Sequence, residues 1–379
     1  MVTRTMSKRS TRFLVFASAT ALMVSLVSCS TPNQASNPTT ATKVSPQASP
    51  STLALTQEVM LNGSGASFPA PLYQRWFHDL NQRNPNLKVN YLSVGSGAGV
   101  EQFTKKTVDF GASDVAMTDE EIAAVNGDVL MLPMTAGSVV LAYNISGVQG
   151  ELKLPREVYT DIFLGKITNW NDPAIAKANP TLTLPNLPIT VVHRSDGSGT
   201  TGVFTQHLSA ISPVWKQQVG SGKNVNWPTG IGAQGNEGVT AQIQQNEGAI
   251  GYVEYGYAKE NGLQMAALQN KAGNFVKPSE QSAEKALEAV HLPNNLRAFI
   301  PDPEGANSYP IVTYSWMLVR KHYNNPDQAK AIEAMIEYGL TKGQDESTQL
   351  GYVPLPHRVK EQVAAVAQEI SPDYHLALK

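Results

Sequence analysis

A single cysteine, Cys29, in a chain of 379 residues rules out a disulfide framework. Histidine is scarce too. The seven are scattered, with neither a His-Glu-x-x-His pattern nor close His/Cys spacing, so no metal site is signalled and no cofactor is expected. Charge is sparse at 16% of residues and nearly balanced at −2. Four of the 29 basic residues lie in the first 28 positions and none of the 31 acids does, so the remainder carries about −6. A nucleic-acid-binding surface is therefore not indicated. The apolar run at residues 13–27 is shorter than the ~20 residues a spanning helix needs. Named phosphate loops are missing as well. The stretch Gly95-Ser96-Gly97-Ala98-Gly99 lacks the dinucleotide spacing, and Gly165-Lys166-Ile167-Thr168 lacks the glycine run of a nucleotide-binding loop. No serine sits in Gly-x-Ser-x-Gly between a strand and a helix, and no fixed period marks a repeat protein.

What is present begins with the N-terminus. Arg4, Lys8, Arg9 and Arg12 precede the apolar run, which closes on Leu26-Val27-Ser28-Cys29. That tetrad resembles a bacterial lipobox, in which the cysteine thiol is lipidated and the chain is cut just before it. Residues 1–28 are accordingly expected to be a lipoprotein signal peptide and Cys29 the lipidated mature N-terminus. The alternative is an ordinary signal peptide with Cys29 incidental, but the one cysteine stands where lipidation needs it. Residues 30–52 are almost all Ser, Thr, Pro, Asn, Gln and Ala, too poor in apolar surface to offset the entropy of ordering. Residues 29–57 thus read as a disordered tether.

Beyond the tether, strand-like and helix-like patterns alternate, and 41% hydrophobic residues supply core for two to three domains. Helical spacing of Leu72, Trp76, Phe77 and Leu80 predicts a helix over 71–80. Strands are predicted at 59–61, 89–94, 108–114, 129–133, 139–144, 189–193 and 311–319, and further helices at 326–339 and 356–370. A strand that late can complete an early sheet. The expected organisation is a first domain from 58–136 and 312–379, a second from 137–311, and a cleft lined by two crossing segments near residues 134–137 and 307–313.

Three strand-to-helix junctions share a composition: Gly65-Ala66-Ser67-Phe68, Gly95-Ser96-Gly97 and Gly197-Ser198-Gly199-Thr200. The first turn of a helix has N–H groups without internal partners, and its dipole favours anions. Glycine lets an anion approach, and Ser or Thr adds a hydroxyl donor. Any one junction alone is an ordinary cap. Three in one chain, one of them beside Arg194, point to an oxyanion. The run of Tyr252, Tyr255 and Tyr257 is read as sheet packing rather than a sugar platform.

These segments, with Val108-Asp109-Phe110-Gly111-Ala112-Ser113-Asp114, Gly248-Ala249-Ile250-Gly251-Tyr252-Val253-Glu254-Tyr255 and Leu164-Gly165-Lys166-Ile167-Thr168-Asn169-Trp170, closely resemble the phosphate-binding component of high-affinity phosphate ABC transporters. The resemblance runs from about Val59 to the C-terminal helix. It implies an α/β, two-domain periplasmic-binding-protein fold (type II) with ligand in the interdomain cleft, inorganic phosphate as ligand, and the permease subunits of a phosphate ABC transporter as partners. It implies a periplasmic or cell-surface protein and no enzyme, and the lipobox-like tetrad adds the expectation of a lipid anchor in a bacterial membrane. By the same resemblance Ser67 and Phe68 give hydroxyl and backbone donors, Ser96 a hydroxyl, and Arg194 a charged donor. Ser198, Gly199 and Thr200 cradle the anion, Asp114 accepts a hydrogen bond, and Asp196 aims Arg194. Two positions depart from the pattern: Ser67 stands where threonine is frequent, and His193 where a second arginine occurs.

Asp114 carries the selectivity argument. A deprotonated carboxylate only accepts, so it repels an anion unless the ligand brings a proton. Phosphate keeps a proton near neutral pH, whereas sulfate has none and would meet Asp114 acceptor against acceptor. The rival readings are a secreted phosphatase, for which His193 is the only nearby general base, and a sulfate or molybdate binder, which Asp114 disfavours.

Overall fold

The computed structural model describes residues 55–378 apart from 289, 372, 373, 375 and 377; the leader, Cys29 and most of the tether lie outside the described residues. The strands are β1 (Val59–Gly65), β2 (Leu87–Ser93), β3 (Phe110–Ser113), β4 (Leu130–Tyr143), β5 (Lys153–Leu154), β6 (Thr190–Arg194), β7 (Ile231–Ala233), β8 (Ala249–Glu254), β9 (Gln264–Met265), β10 (Ala267–Gln269), β11 (Phe275–Val276) and β12 (Val312–Val319). Nine of them form one sheet in the order β2-β1-β3-β12-β4-β8-β6-β7, with β9 also on β4. The flanks are parallel, β1 with β2 and β3, β6 with β7 and β8, as strand-helix-strand crossovers require. The middle is antiparallel. The late strand β12 inserts between β3 and β4, which is how the C-terminal third joins the N-terminal half. The fold is mixed α/β and of the two-domain binding-protein type.

The sequence pattern divides residues 129–144 into two strands; the structure has one. The fourteen residues of β4 are all buried and pair first with β12, through Ser138, and then with β8, from Val139. Pro133, which lacks an N–H and suggests a break, is absorbed by a register shift between Ser315 and Trp316 of β12, opposite it. Other elements fall close to expectation. The predicted helix 71–80 spans Ala70–Arg83 with proline in its first turn, burying Leu72, Tyr73, Trp76, Phe77 and Leu80. Trp76 donates its indole N–H to the Gly343 carbonyl at 2.8 Å, tying this helix to the C-terminal third. The second half of the sheet carries its own aromatic group. Tyr252 of β8 stacks on Phe204 and Trp227 with ring centres 4.7 and 5.5 Å apart.

The two sheet halves also meet through side chains. Lys223, from the second half, pairs with Glu121 at 2.5 Å, and Arg297 with Asp119 at 2.6 Å. Both acids belong to the helix Asp119–Ala124, whose start is closed by a Thr118–Glu121 capping box. No described helix is long and apolar enough to cross a membrane.

Candidate anion-binding site

The three glycine-hydroxyl junctions all sit where a strand of the sheet gives way to a helix, and the chain brings them together. Ser67 follows β1, Ser96 opens the helix Ser96–Thr104 after β2, and Ser198 caps the helix Gly199–Ile211 after β6. Ser67, Phe68, Ser96, Asp114, Arg194, Ser198 and Thr200 are all buried. Close approach demands the glycines. A Cβ on Gly199 would lie 2.3 Å from Ser96 Oγ and 2.8 Å from Asp114 Cβ, so the second-half helix start abuts first-half residues. Gly95 has φ +91°, and a Cβ there would meet the Asp196 carboxylate at 2.3 Å. Gly97 N–H donates to the Gly197 carbonyl at 2.7 Å across the same seam.

Arg194 is held by Asp196 in a two-pronged pair, Nε to Oδ1 at 2.7 Å and Nη2 to Oδ2 at 2.5 Å. Burial works against the guanidinium charge, and Asp196 more than restores it, leaving the pKa raised. Nη1 reaches Thr200 Oγ1 at 3.5 Å. Asp196 Oδ1 also accepts from Gly235 N–H at 3.2 Å, so its direction is fixed from two sides. It aims Arg194 rather than standing alone in the cradle.

Asp114 is 1% exposed. Burial pushes its carboxyl up to about 7, against opposing contributions from the Ser315 hydroxyl and the Arg194 charge. Ser315 donates to Oδ1 at 2.8 Å, and the Asp114 backbone N–H donates to Ser96 Oγ at 3.2 Å. Asp114 thus sets a carboxyl among the Ser96, Thr200 and Ser315 hydroxyls and the Arg194 guanidinium.

The segment Ala66–Phe68 is pinned by tyrosines. Tyr91 donates to the Ala66 carbonyl at 2.7 Å, Tyr257 to that of Ser67 at 2.8 Å, and Tyr352 to that of Phe68 at 2.7 Å. Tyr252 bonds Arg194 N–H at 3.0 Å and Thr201 Oγ1 at 2.6 Å. The packing expectation for the tyrosine run is thus incomplete: β8 ends at Glu254, the helix Tyr255–Glu260 follows, and two of the three hydroxyls brace the site.

His193 does not replace an arginine. Its ring stacks on Trp227 at 4.9 Å, and Nδ1 lies 3.0 Å from the Arg194 carbonyl, which can only accept, so Nδ1 carries the proton. Burial lowers its pKa. The ring forms a wall beside a cavity of about 390 Å³ lined by Arg194, Ser195, Lys223 and Asn224.

Asn236 and Ser315 are absent from the sequence reading. Asn236 opens a fourth junction of the same kind, where β7 meets the helix Gly235–Gln245 at Gly235 with φ +71°. Its side chain crosses to Ser67 Oγ at 2.9 Å. The glycine before it was the available signal. Ser315 sits inside a buried strand, and nothing local distinguishes it. Among the described residues, no group of three His, Cys, Asp or Glu is placed to hold a metal ion.

Residues 32–342 match the family model described as a PBP superfamily domain. The phosphate-binding protein PstS of Pasteurella multocida is 45% identical over 319 residues, 83% of this chain and 92% of that protein. The protein of the same name from Methanocaldococcus jannaschii is 40% identical over 326 residues, 79% of this chain and 84% of the other. A solved structure of a phosphate-binding protein from Stenotrophomonas maltophilia shares the fold with a TM-score of 0.65, at 21% identity, covering 81% of this chain and 94% of the other.

Proposed function

Because this chain belongs to the phosphate-binding proteins of the PBP superfamily, we propose that it captures inorganic phosphate in the cradle described above and delivers it to the permease of a phosphate ABC importer. The observation that carries the reading is convergence. Hydroxyls of Ser67, Ser96 and Thr200, the Arg194 guanidinium and two helix starts come from distant parts of the chain to one buried place, with Asp114 among them. Donors in that number suit an oxyanion. A single buried acceptor suits one that retains a proton.

In this reading Ser67, Ser96, Arg194, Ser198, Gly199, Thr200 and the backbone of Phe68 donate to phosphate oxygens, Asp114 accepts the phosphate proton, and Asp196 fixes Arg194. The domains are 58–136 with 312–379 and, inserted, 137–311, with the partner change inside β4 supporting a boundary near Ser138. The tetrad ending at Cys29 supports a lipid-anchored protein outside the cytoplasm. Isothermal titration of the purified protein with phosphate, arsenate and sulfate is the test. Above about pH 7, where the Asp114 carboxyl is charged, phosphate and arsenate should bind and sulfate should not; equal binding of sulfate and phosphate there would sink the selectivity, and no heat with any of them the capture itself.

A further inference from the structure

Asn236 is 0% exposed and touches both halves of the site. Its amide cannot be turned around. The Glu254 backbone N–H, which can only donate, lies 3.0 Å from Oδ1, so Nδ2 must face the other way. There its two hydrogens meet two hydroxyls, Ser67 Oγ at 2.9 Å and Thr200 Oγ1 at 3.3 Å. The Asn236 backbone N–H also donates to Ser67 Oγ, at 3.1 Å.

A hydroxyl oxygen has two acceptor positions and one proton. Ser67 Oγ accepts twice from Asn236, and Thr200 Oγ1 accepts from Asn236 and from Arg194 Nη1 at 3.5 Å. With both acceptor positions filled, each hydroxyl is left only its proton to offer. We propose that Asn236 is a positioning residue that fixes the polarity of the Ser67 and Thr200 hydroxyls, making both obligatory donors to an oxyanion.

The arrangement is conditional on closure. Ser67 follows β1 in one half of the sheet, and Asn236 follows β7 in the other, 169 positions away. When the halves part, the Ser67 hydroxyl regains its freedom to accept. Its donor character therefore belongs to the closed molecule and stabilises bound anion chiefly by slowing release. The consequence rests on the phosphate reading for its ligand but on geometry for its mechanism.

The test is a double-mutant cycle of Asn236→Ala and Ser67→Ala, read as inorganic phosphate affinity and as release rate by stopped flow. In the wild-type background Asn236→Ala should weaken affinity about tenfold or more, mostly through faster release. In the Ser67→Ala background the same step should shrink at least about threefold, because the hydroxyl it orients is gone. Undiminished cost there overturns the proposal, since a residue that merely supports the fold would act alike in both. Asn236→Asp keeps the shape and guards against a collapsed alanine variant. Its carboxylate would draw the hydroxyl protons to itself, and affinity within about twofold of wild type would also overturn the proposal. If the wild type binds arsenate or sulfate but not phosphate, the functional reading fails and the cycle is read on the anion that binds. If none binds, both fall.

Discussion

At the scale of single residues, Asp114 makes the sharpest prediction. Its carboxyl ionises near 7 in the folded protein, pushed up by burial, against 3.8 for an exposed aspartate. The native state therefore holds a proton that the unfolded chain has released between those values, and stability falls as pH rises through that window. In the Asp114→Asn variant, melting curves from pH 4 to 7 should lack this part of the decline. Ligand choice follows the same proton. Below about 7 the neutral carboxyl can donate, so sulfate affinity of the wild type should rise on acidification. Asparagine donates at every pH, so its sulfate affinity should be flat across the range and exceed that of the wild type by on the order of 1 to 3 kcal/mol only well above about pH 7, where the Asp114 carboxyl is charged. Competitive titration with phosphate and sulfate across pH checks both; an unchanged ratio in the variant removes Asp114 as the selective element. Arg194 was legible in the sequence because glycines and hydroxyls within a few positions announce it, and Asp114 through the family resemblance that its segment carries. Ser315 was not, because its partner Asp114 lies 201 positions away and a serine on a buried strand has no local signature.

At the scale of elements, the alternation of strand and helix was readable, and most boundaries fell within a few residues, because amphipathic periods and helix starts are local. The exception, β4, shows the limit. Whether Pro133 ends a strand or sits in a bulge depends on β12, a strand more than a hundred residues later. The helix starts carry a prediction of their own. Gly199 opens the helix Gly199–Ile211 against Ser96 and Asp114 with no room for a methyl group, so Gly199→Ala must push the two halves apart. Overpacking of this kind costs roughly 1 to 3 kcal/mol, or about fivefold to 150-fold in phosphate affinity. The nearest atoms, those of Ser96 and Asp114, all belong to the first half, so the penalty should fall on the seam between the halves and hence on ligand binding. Titration of the variant at wild-type strength would show that closure does not bring these residues as near as the geometry says.

For the whole molecule, the proposed lipid anchor at Cys29 would set where phosphate is met. Lipidation at Cys29 predicts that Cys29→Ala moves the protein from the detergent phase to the aqueous phase in a partitioning assay, with phosphate affinity unchanged. Wild type and variant found together in the aqueous phase would end that reading. The described residues belong to one compact unit even though the binding groups come from two sheet halves. The reason lies in β4, fourteen buried residues long, whose first part is laced to β12 and whose last part is laced to β8. Neither half can melt without stripping hydrogen bonds from a strand the other half also needs. The protein should therefore unfold in one calorimetric transition rather than two, with the calorimetric and van't Hoff enthalpies in agreement. Amides on both sides of Ser138 should exchange with solvent at a common, slowest rate. Two resolved peaks, or protection that drops abruptly at Ser138, would mean that the shared strand does not couple the halves. The strand that lets a cleft exist thus also keeps its two walls from having separate lives.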